Sequence, residues 1–261
     1  MIDEHVRSRE LGHATAMSST SRDIRYSGAS GRGVGWTANR HPPGRRPPFD
    51  RQTDRARHPQ AWRILQEAGR PRRLATGVEL PALDDRAGAI VLVVEGALKL
   101  VGLAENGTSA TLAVRPAGSI VSQFGWDRNA RRSMVAVLPS VVITVPGKRV
   151  ATAVREHPWL AVPLMETMGS LAVEADHRLL AHIAYDASAR IRQVLLHLAH
   201  LFPTACGGPV IPLAQQDLAD LAGVSREATA KELRRLRESG AVRTGRSRIA
   251  VVRTDLIGDK A

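Results

Sequence analysis

The chain has a single cysteine, Cys206, in 261 residues. That excludes an intrachain disulfide framework, a four-cysteine zinc site and an all-cysteine iron–sulfur cluster. No apolar run approaches the ~20 residues a membrane span requires, and the first residues lack the apolar stretch of a secretory signal. The expectation is a cytoplasmic protein with no membrane partner. A phosphate loop between a strand and a helix, a nucleophile elbow and a paired-carboxylate motif are also missing, so an enzyme reading has no residues to rest on. His177, His182, His197 and His200 have no carboxylate or cysteine cluster beside them, and no metal is assigned.

What the chain does have is positive charge. The formal net charge is +12 with a pI near 11.2, which favours a polyanionic partner such as nucleic acid. Arginine outnumbers lysine 33 to 4 along the whole chain, which weakens the inference drawn from any one arginine-rich segment. Residues 1–73 hold 15 arginines against 7 acidic residues. Within them, residues 1–58 are rich in arginine, proline and glycine with scarcely any apolar periodicity, and read as a disordered extension.

The sharpest signal lies between Pro212 and Arg253. Ala219 and Gly223, four apart, supply a small residue for a close helix crossing and one that tolerates positive φ at the bend. Ser225 is placed to cap a second helix and Glu227 to favour its positive end. Along that helix Thr229, Leu233 and Leu236 recur at helical spacing and face inward, which puts Arg226, Glu227, Ala230, Lys231, Arg234 and Arg235 outside. Gly240 ends the helix, and Val242 to Arg253 reads as two short strands around residues 244–247, a basic wing with Arg246 and Arg248. This is the outline of a helix-turn-helix that reads double-stranded DNA with a helix over about 225–239.

Upstream the apolar period changes twice. Short β-rich runs at 90–94, 97–101, 110–114, 134–138 and 141–145 suggest an antiparallel barrel or roll over 59–155, preceded by a short amphipathic helix from Pro59 to Arg70. Helical spacing returns over 156–185, where Leu164, Met168, Leu171, Ala175, Leu179 and Ile183 form a stripe suited to pairing with a second copy. Asp186 then looks like the cap of a helix leading into the final unit, 186–261. The fold class is α+β.

In this order, these parts resemble the Crp/Fnr family of bacterial transcription regulators over about residues 60–256. The closest matches are the run Asp217 to Thr229 with Leu233, Leu236 and Gly240, and Ala184 to Asp186 before Arg190 to Leu196. Gly77, Glu95 to Lys99 and Gly118 match turns of the family's cyclic-nucleotide-binding-like β-roll. The resemblance implies a homodimer on a palindromic operator, with RNA polymerase as a further partner. It implies base contacts for Arg226, Glu227 and Lys231, the last standing where arginine is usual. The candidate DNA-contacting set is Ser225, Arg226, Glu227, Thr229, Lys231, Arg234, Arg235, Arg246 and Arg248, and Thr229 thus stands in both the inward and the contacting sets. For an effector in the roll the resemblance points to Ser122, Gln123, Arg132 and Ser133. Relatives that bind cyclic AMP carry Gly-Glu where this chain has Ser122-Gln123, a small alanine at Met134, and Thr-Ser at Ala175-Asp176, so cyclic AMP is a disfavoured candidate. The competing expectation is a ligand-sensing or protein-interaction module whose helix-turn-helix no longer reads DNA. A palindromic footprint would exclude it.

Overall fold

Two short helices, α1 (Asp54–Arg57) and α2 (Pro59–Ala68), lead into eight strands: β1 (Arg70–Leu74), β2 (Glu79–Pro81), β3 (Ala89–Glu95), β4 (Ala97–Leu103), β5 (Ser109–Pro116), β6 (Ile120–Ser122), β7 (Arg132–Ala136) and β8 (Ser140–Pro146). Helices α3 (Gly147–Glu156), α4 (Ala161–Ala184) and α5 (Ala187–Leu201) follow. The last part holds β9 (Thr204–Ala205), β10 (Gly208–Ile211), α6 (Gln215–Ala222), α7 (Arg226–Glu238), β11 (Val242–Gly245), β12 (Arg248–Val251) and α8 (Asp255–Gly258). The computed structural model describes residues 53–81, 88–124, 132–202, 204–205 and 208–258. Most of the extension expected to be disordered, residues 1–52, lies outside the described residues, as does Cys206.

The eight strands form two antiparallel four-stranded sheets, ordered β1-β8-β3-β6 and β2-β7-β4-β5. The sequence of β3, Ala-Ile-Val-Leu-Val-Val-Glu, has no polar alternation because both of its faces are covered. Ile90 and Leu92 join Trp62 and Leu65 of α2, Val150 of α3 and Leu160 on one side. Val91 and Val93 meet Leu80, Leu98 and Met134 between the sheets. A third core builds the carboxy-terminal unit from Ile191, Leu195 and Leu198 of α5 with Leu218, Leu233, Leu236 and Ile249.

Three details differ from the sequence expectation. Thr53 to His58, assigned to the disordered extension, are structured: the Thr53 hydroxyl caps α1 by accepting from the Ala56 N–H at 3.3 Å. Asp54 fastens that turn to the roll by accepting from the Ile120 N–H at 2.7 Å. The expected helix over 156–185 proves to be the end of α3, a 3-10 turn at Pro158–Leu160 and then α4. Pro158 pushes His157 out of helical geometry (φ −131°, ψ 78°), which separates the two helices. Pro163 does not break α4, since it lies in the first turn, where its absent N–H has no intrahelical partner to lose. Last, the apolar run 134–138 is offset from its strand: β7 spans Arg132–Ala136, and Val137 to Pro139 form the bend that carries the chain into β8. Among the described residues no helix is long and apolar enough to cross a membrane.

Candidate nucleic-acid interface

α6 and α7 meet at Gly223, which takes a left-handed conformation (φ 58°) and donates its N–H back to the Asp220 carbonyl at 3.1 Å. Ala219 lies fully buried at the crossing. A Cβ on Gly223 would stand 2.0 Å from Cε1 of His182, the imidazole near the end of α4. Gly223→Ala should therefore destabilise the protein by about 1–2 kcal/mol, mostly from the backbone conformation because the exposed His182 ring can swing aside. Chemical denaturation checks this. The bend is also tied to α4 by Arg190, which donates to the His182 and Gly223 carbonyls at 3.2 and 3.3 Å.

Ser225 opens α7 as an N-cap, accepting from the Ala228 N–H at 3.1 Å. At the other end Gly240 is left-handed (φ 76°), which lets Ala241 donate to the Leu236 carbonyl at 2.8 Å and turn the chain into β11. β11 and β12 form a hairpin with Gly245 opposite Arg248, and β12 pairs on its other edge with β10. Ser247, at the tip, has φ 51°.

Of the nine residues expected to contact DNA, Ser225, Arg226, Glu227, Lys231, Arg234, Arg235, Arg246 and Arg248 are exposed. Thr229 is not: it is fully buried, and its hydroxyl donates to the Ser225 carbonyl at 3.1 Å. Its inward phase on the helix outweighs its neighbours' role, and it belongs to the core beside Leu233. The Glu227 carboxyl is held below the usual range by hydrogen bonds from its own N–H and from the Ser225 hydroxyl, with Arg226 adding to the effect. It is thus an acceptor at neutral pH, next to the donor fork of Arg226.

The stripe expected on α4 divides. Leu164, Met168 and Leu171 are partly buried, Leu164 against the core of α2 and α3, while Ala175, Leu179 and Ile183 are exposed. A different line is open along the helix: Val162, Met165, Gly169, Ala172, Asp176, Leu179 and Ile183, alternately three and four residues apart.

The residues proposed for an effector come from opposed sheets. Ser122 ends β6 and is followed by Gln123, which is 4 % exposed and bonded through its N–H to the Ala89 carbonyl. Arg132 and Ser133 begin β7. Met134 is fully buried between the sheets, so its side chain occupies the interior of the roll. Residues 125–131, between the two pairs, lie outside the described residues.

Sequence reasoning missed the contacts that join the roll to the carboxy-terminal unit. Asp217 of α6, 7 % exposed, accepts from Lys99 Nζ at 2.6 Å and the Thr111 hydroxyl at 2.7 Å, and Asp220 accepts from the Thr111 N–H at 2.9 Å. Beside them Arg115 pairs with Glu174 of α4 at 2.9 Å, and Arg178 lies 3.6 Å from the same carboxylate and donates to the Leu112 carbonyl. Burial works to raise the Glu174 carboxyl, but Arg115 and Arg178 together hold it below the usual range. His197, packed against this cluster, is pushed down to about 4 by burial, with the two arginines adding to the effect, and is neutral at physiological pH. Also unread was Glu232 of α7, 2 % exposed, with Arg192 of α5 and Arg235 each 3.5 Å away. The only signal for these pairs was acidic residues at helix positions facing the core. Arg178 and Arg235 stand one helical turn from Glu174 and Glu232, but Lys99, Thr111, Arg115 and Arg192 belong to other elements, up to 118 residues away, and could not be read locally.

Residues 189–256 match the profile of the Crp-like helix-turn-helix domain. The chain is 27% identical over 179 residues to the cyclic AMP receptor protein of Thermus thermophilus, covering 68% of this chain and 81% of that protein. It is 23% identical over 199 residues to the global nitrogen regulator of Nostoc sp., covering 69% of this chain and 89% of that one. Among solved structures, that of FixK2 from Bradyrhizobium japonicum superposes with a TM-score of 0.61 at 20% identity, covering 74% of this chain and 98% of that one. The arrangement of roll, long helix and helix-turn-helix is shared with that protein.

Proposed function

Since this chain belongs to the Crp/Fnr family of transcription regulators, we propose that it acts as a homodimer whose two α7 helices enter successive major grooves of a palindromic duplex, roughly 34 Å apart. The observation that carries this reading is the division of α7. Thr229, Glu232, Leu233 and Leu236 lock one side into the core, while Arg226, Glu227, Lys231 and Arg234 stand exposed on the other. A helix so held presents its first turns as a rigid unit, which base reading requires.

The chemistry of the exposed residues suits base edges. Arg226 can donate twice to the O6 and N7 of guanine, and Glu227 can accept from a cytosine amino group. Lys231 offers a compact ammonium without a planar fork, so its preferred base is less restricted. Arg246 and Arg248, at the wing, are suited to phosphates, which fix register without reading sequence. Cyclic AMP suits the roll poorly: Met134 fills interior space, and Gln123, Ala175 and Asp176 offer less to a ribose, an adenine and a dianion than the residues of its binders.

The test is a titration of Arg226→Ala on a duplex selected by the wild-type protein and on a scrambled one. The variant should lose about 1–3 kcal/mol on the selected duplex and almost nothing on the scrambled one. Equal weakening on both would reduce Arg226 to a phosphate contact, and a wild type that bound neither at low salt would remove the DNA-reading function.

A further inference from the structure

Glu232 stands out among the charges of α7 because its carboxylate lies under the helix, not on it. It is 2 % exposed, and it follows by one residue Lys231, which faces outward. A carboxylate so placed is costly to bury without positive partners, and it has two. One is Arg192 of α5, whose side chain is 12% exposed and lies 3.5 Å from Oε1. The other is Arg235, one turn along α7, 3.5 Å from Oε2, with 59% of its side chain exposed. The two cations differ in what else they can reach. Arg192 is enclosed between helices, whereas Arg235 lies at the edge of the surface that the proposed function turns toward the duplex.

We propose that Glu232 is a specificity-determining residue that does not itself touch DNA: from beneath α7 it holds the Arg235 guanidinium, and so keeps one positive charge out of sequence-independent contact with phosphate, while Arg192 braces the carboxylate against α5. The inference rests on the DNA-reading role given above. Its physical basis is competition. A guanidinium joined to a carboxylate shielded from water must give up that pair before it can replace a counterion on the duplex, and each phosphate neutralised contributes about 0.9 to the salt slope. Sequence-independent affinity is made of such contacts, so withholding one raises the ratio of specific to nonspecific binding without any new base contact.

Losing either partner breaks the same bridge between α5 and α7, and a purely structural clamp would respond alike to both. The proposed role separates them. The experiment measures binding to the selected and scrambled duplexes from 50 to 200 mM salt for wild type, Glu232→Gln, Arg192→Leu and the double variant Arg192→Leu/Glu232→Leu, with thermal melts to show that each is folded. The double variant replaces the buried pair by apolar side chains and keeps the test meaningful if Glu232→Gln fails to fold. Both proteins lacking Glu232 should bind the scrambled duplex several-fold more tightly at 50 mM salt, with a slope steeper by about one and a correspondingly lower discrimination ratio. Arg192→Leu, which leaves the carboxylate to Arg235 alone, should keep the wild-type slope. Slopes unchanged in folded Glu232 variants, or a slope that steepens equally in Arg192→Leu, would overturn the inference. If the wild type itself failed to prefer its selected duplex, the DNA-reading role would fall instead.

Discussion

Leu179→Glu should convert the homodimer proposed above to a monomer at micromolar concentration. α4 is 24 residues long, and the line from Val162 to Ile183 that it leaves open follows a seven-residue repeat through three turns of the pattern. Leu179 is 61% exposed and Ile183 76% exposed in the single chain, apolar surface whose removal from water would be favourable. In a symmetric parallel pair each position meets its copy, so one substitution acts twice. Losing two leucines from the seam forfeits about 1.5–3 kcal/mol each, and two carboxylates then face one another within a turn of the Asp176 pair. A total of about 4–6 kcal/mol corresponds to a dimer constant weakened on the order of a thousandfold to ten-thousandfold. Sedimentation equilibrium measures this directly, with Leu179→Ile as the control that preserves the seam. A variant that still sedimented as a dimer with an unchanged constant would place the contact between copies elsewhere on the molecule.

The same helix shows where the sequence was informative and where it was not. Its apolar period was plain, but a stripe read at three- and four-residue steps can be entered at neighbouring residues. Leu164 packs against the core of α2 and α3 and Met168 is partly buried, while Val162 and Met165 belong to the face left open. Nothing local distinguishes the two, because both are apolar and the difference lies in where α2 and α3 sit. α3 itself went unread because Pro146 and Gly147 look like a turn, while the residues it buries, Val150 and Ala153, are too few to show a period. By contrast the helix-turn-helix was legible almost to the residue, since Ser225, Gly223 and Gly240 each act through the backbone of their own neighbours. Local causes leave local signals. Thr229 marks the limit, because its identity suggested a polar contact while its phase on the helix put it in the core.

Asp217→Ala should lower stability by about 3 kcal/mol. One carboxylate serves three donors: Lys99 Nζ and the Thr111 hydroxyl on Oδ1, and the Ala214 N–H at 3.0 Å on Oδ2. The last of these satisfies a free donor at the start of α6, as the acidic member of a capping box does, and its loss alone costs about 1 kcal/mol. The others leave a buried hydroxyl and a lysine, 23% exposed at its side chain, without their acceptor. Hydrogen bonds to a charged group contribute about 1.5–3 kcal/mol, reduced here because water can still reach the ammonium. The loss should appear as a melting midpoint lower by roughly 6–12 °C. Because Lys99 and Thr111 belong to the roll and Asp217 to the unit that carries α7, the variant's transition should also broaden, as the junction keeps only its apolar part, where Ala97 and Val114 of the roll join the carboxy-terminal core. Lys99→Met removes the charge and keeps the apolar stem, and should cost less than half as much. Asp220→Ala leaves the Thr111 N–H unsatisfied, and its effect should not add to that of Asp217→Ala, since both act on one residue of β5. A melting curve for Asp217→Ala that overlaid the wild type would mean that Lys99 and Thr111 find solvent as good a partner as the carboxylate, and that α6 rests on the roll through its apolar contacts alone.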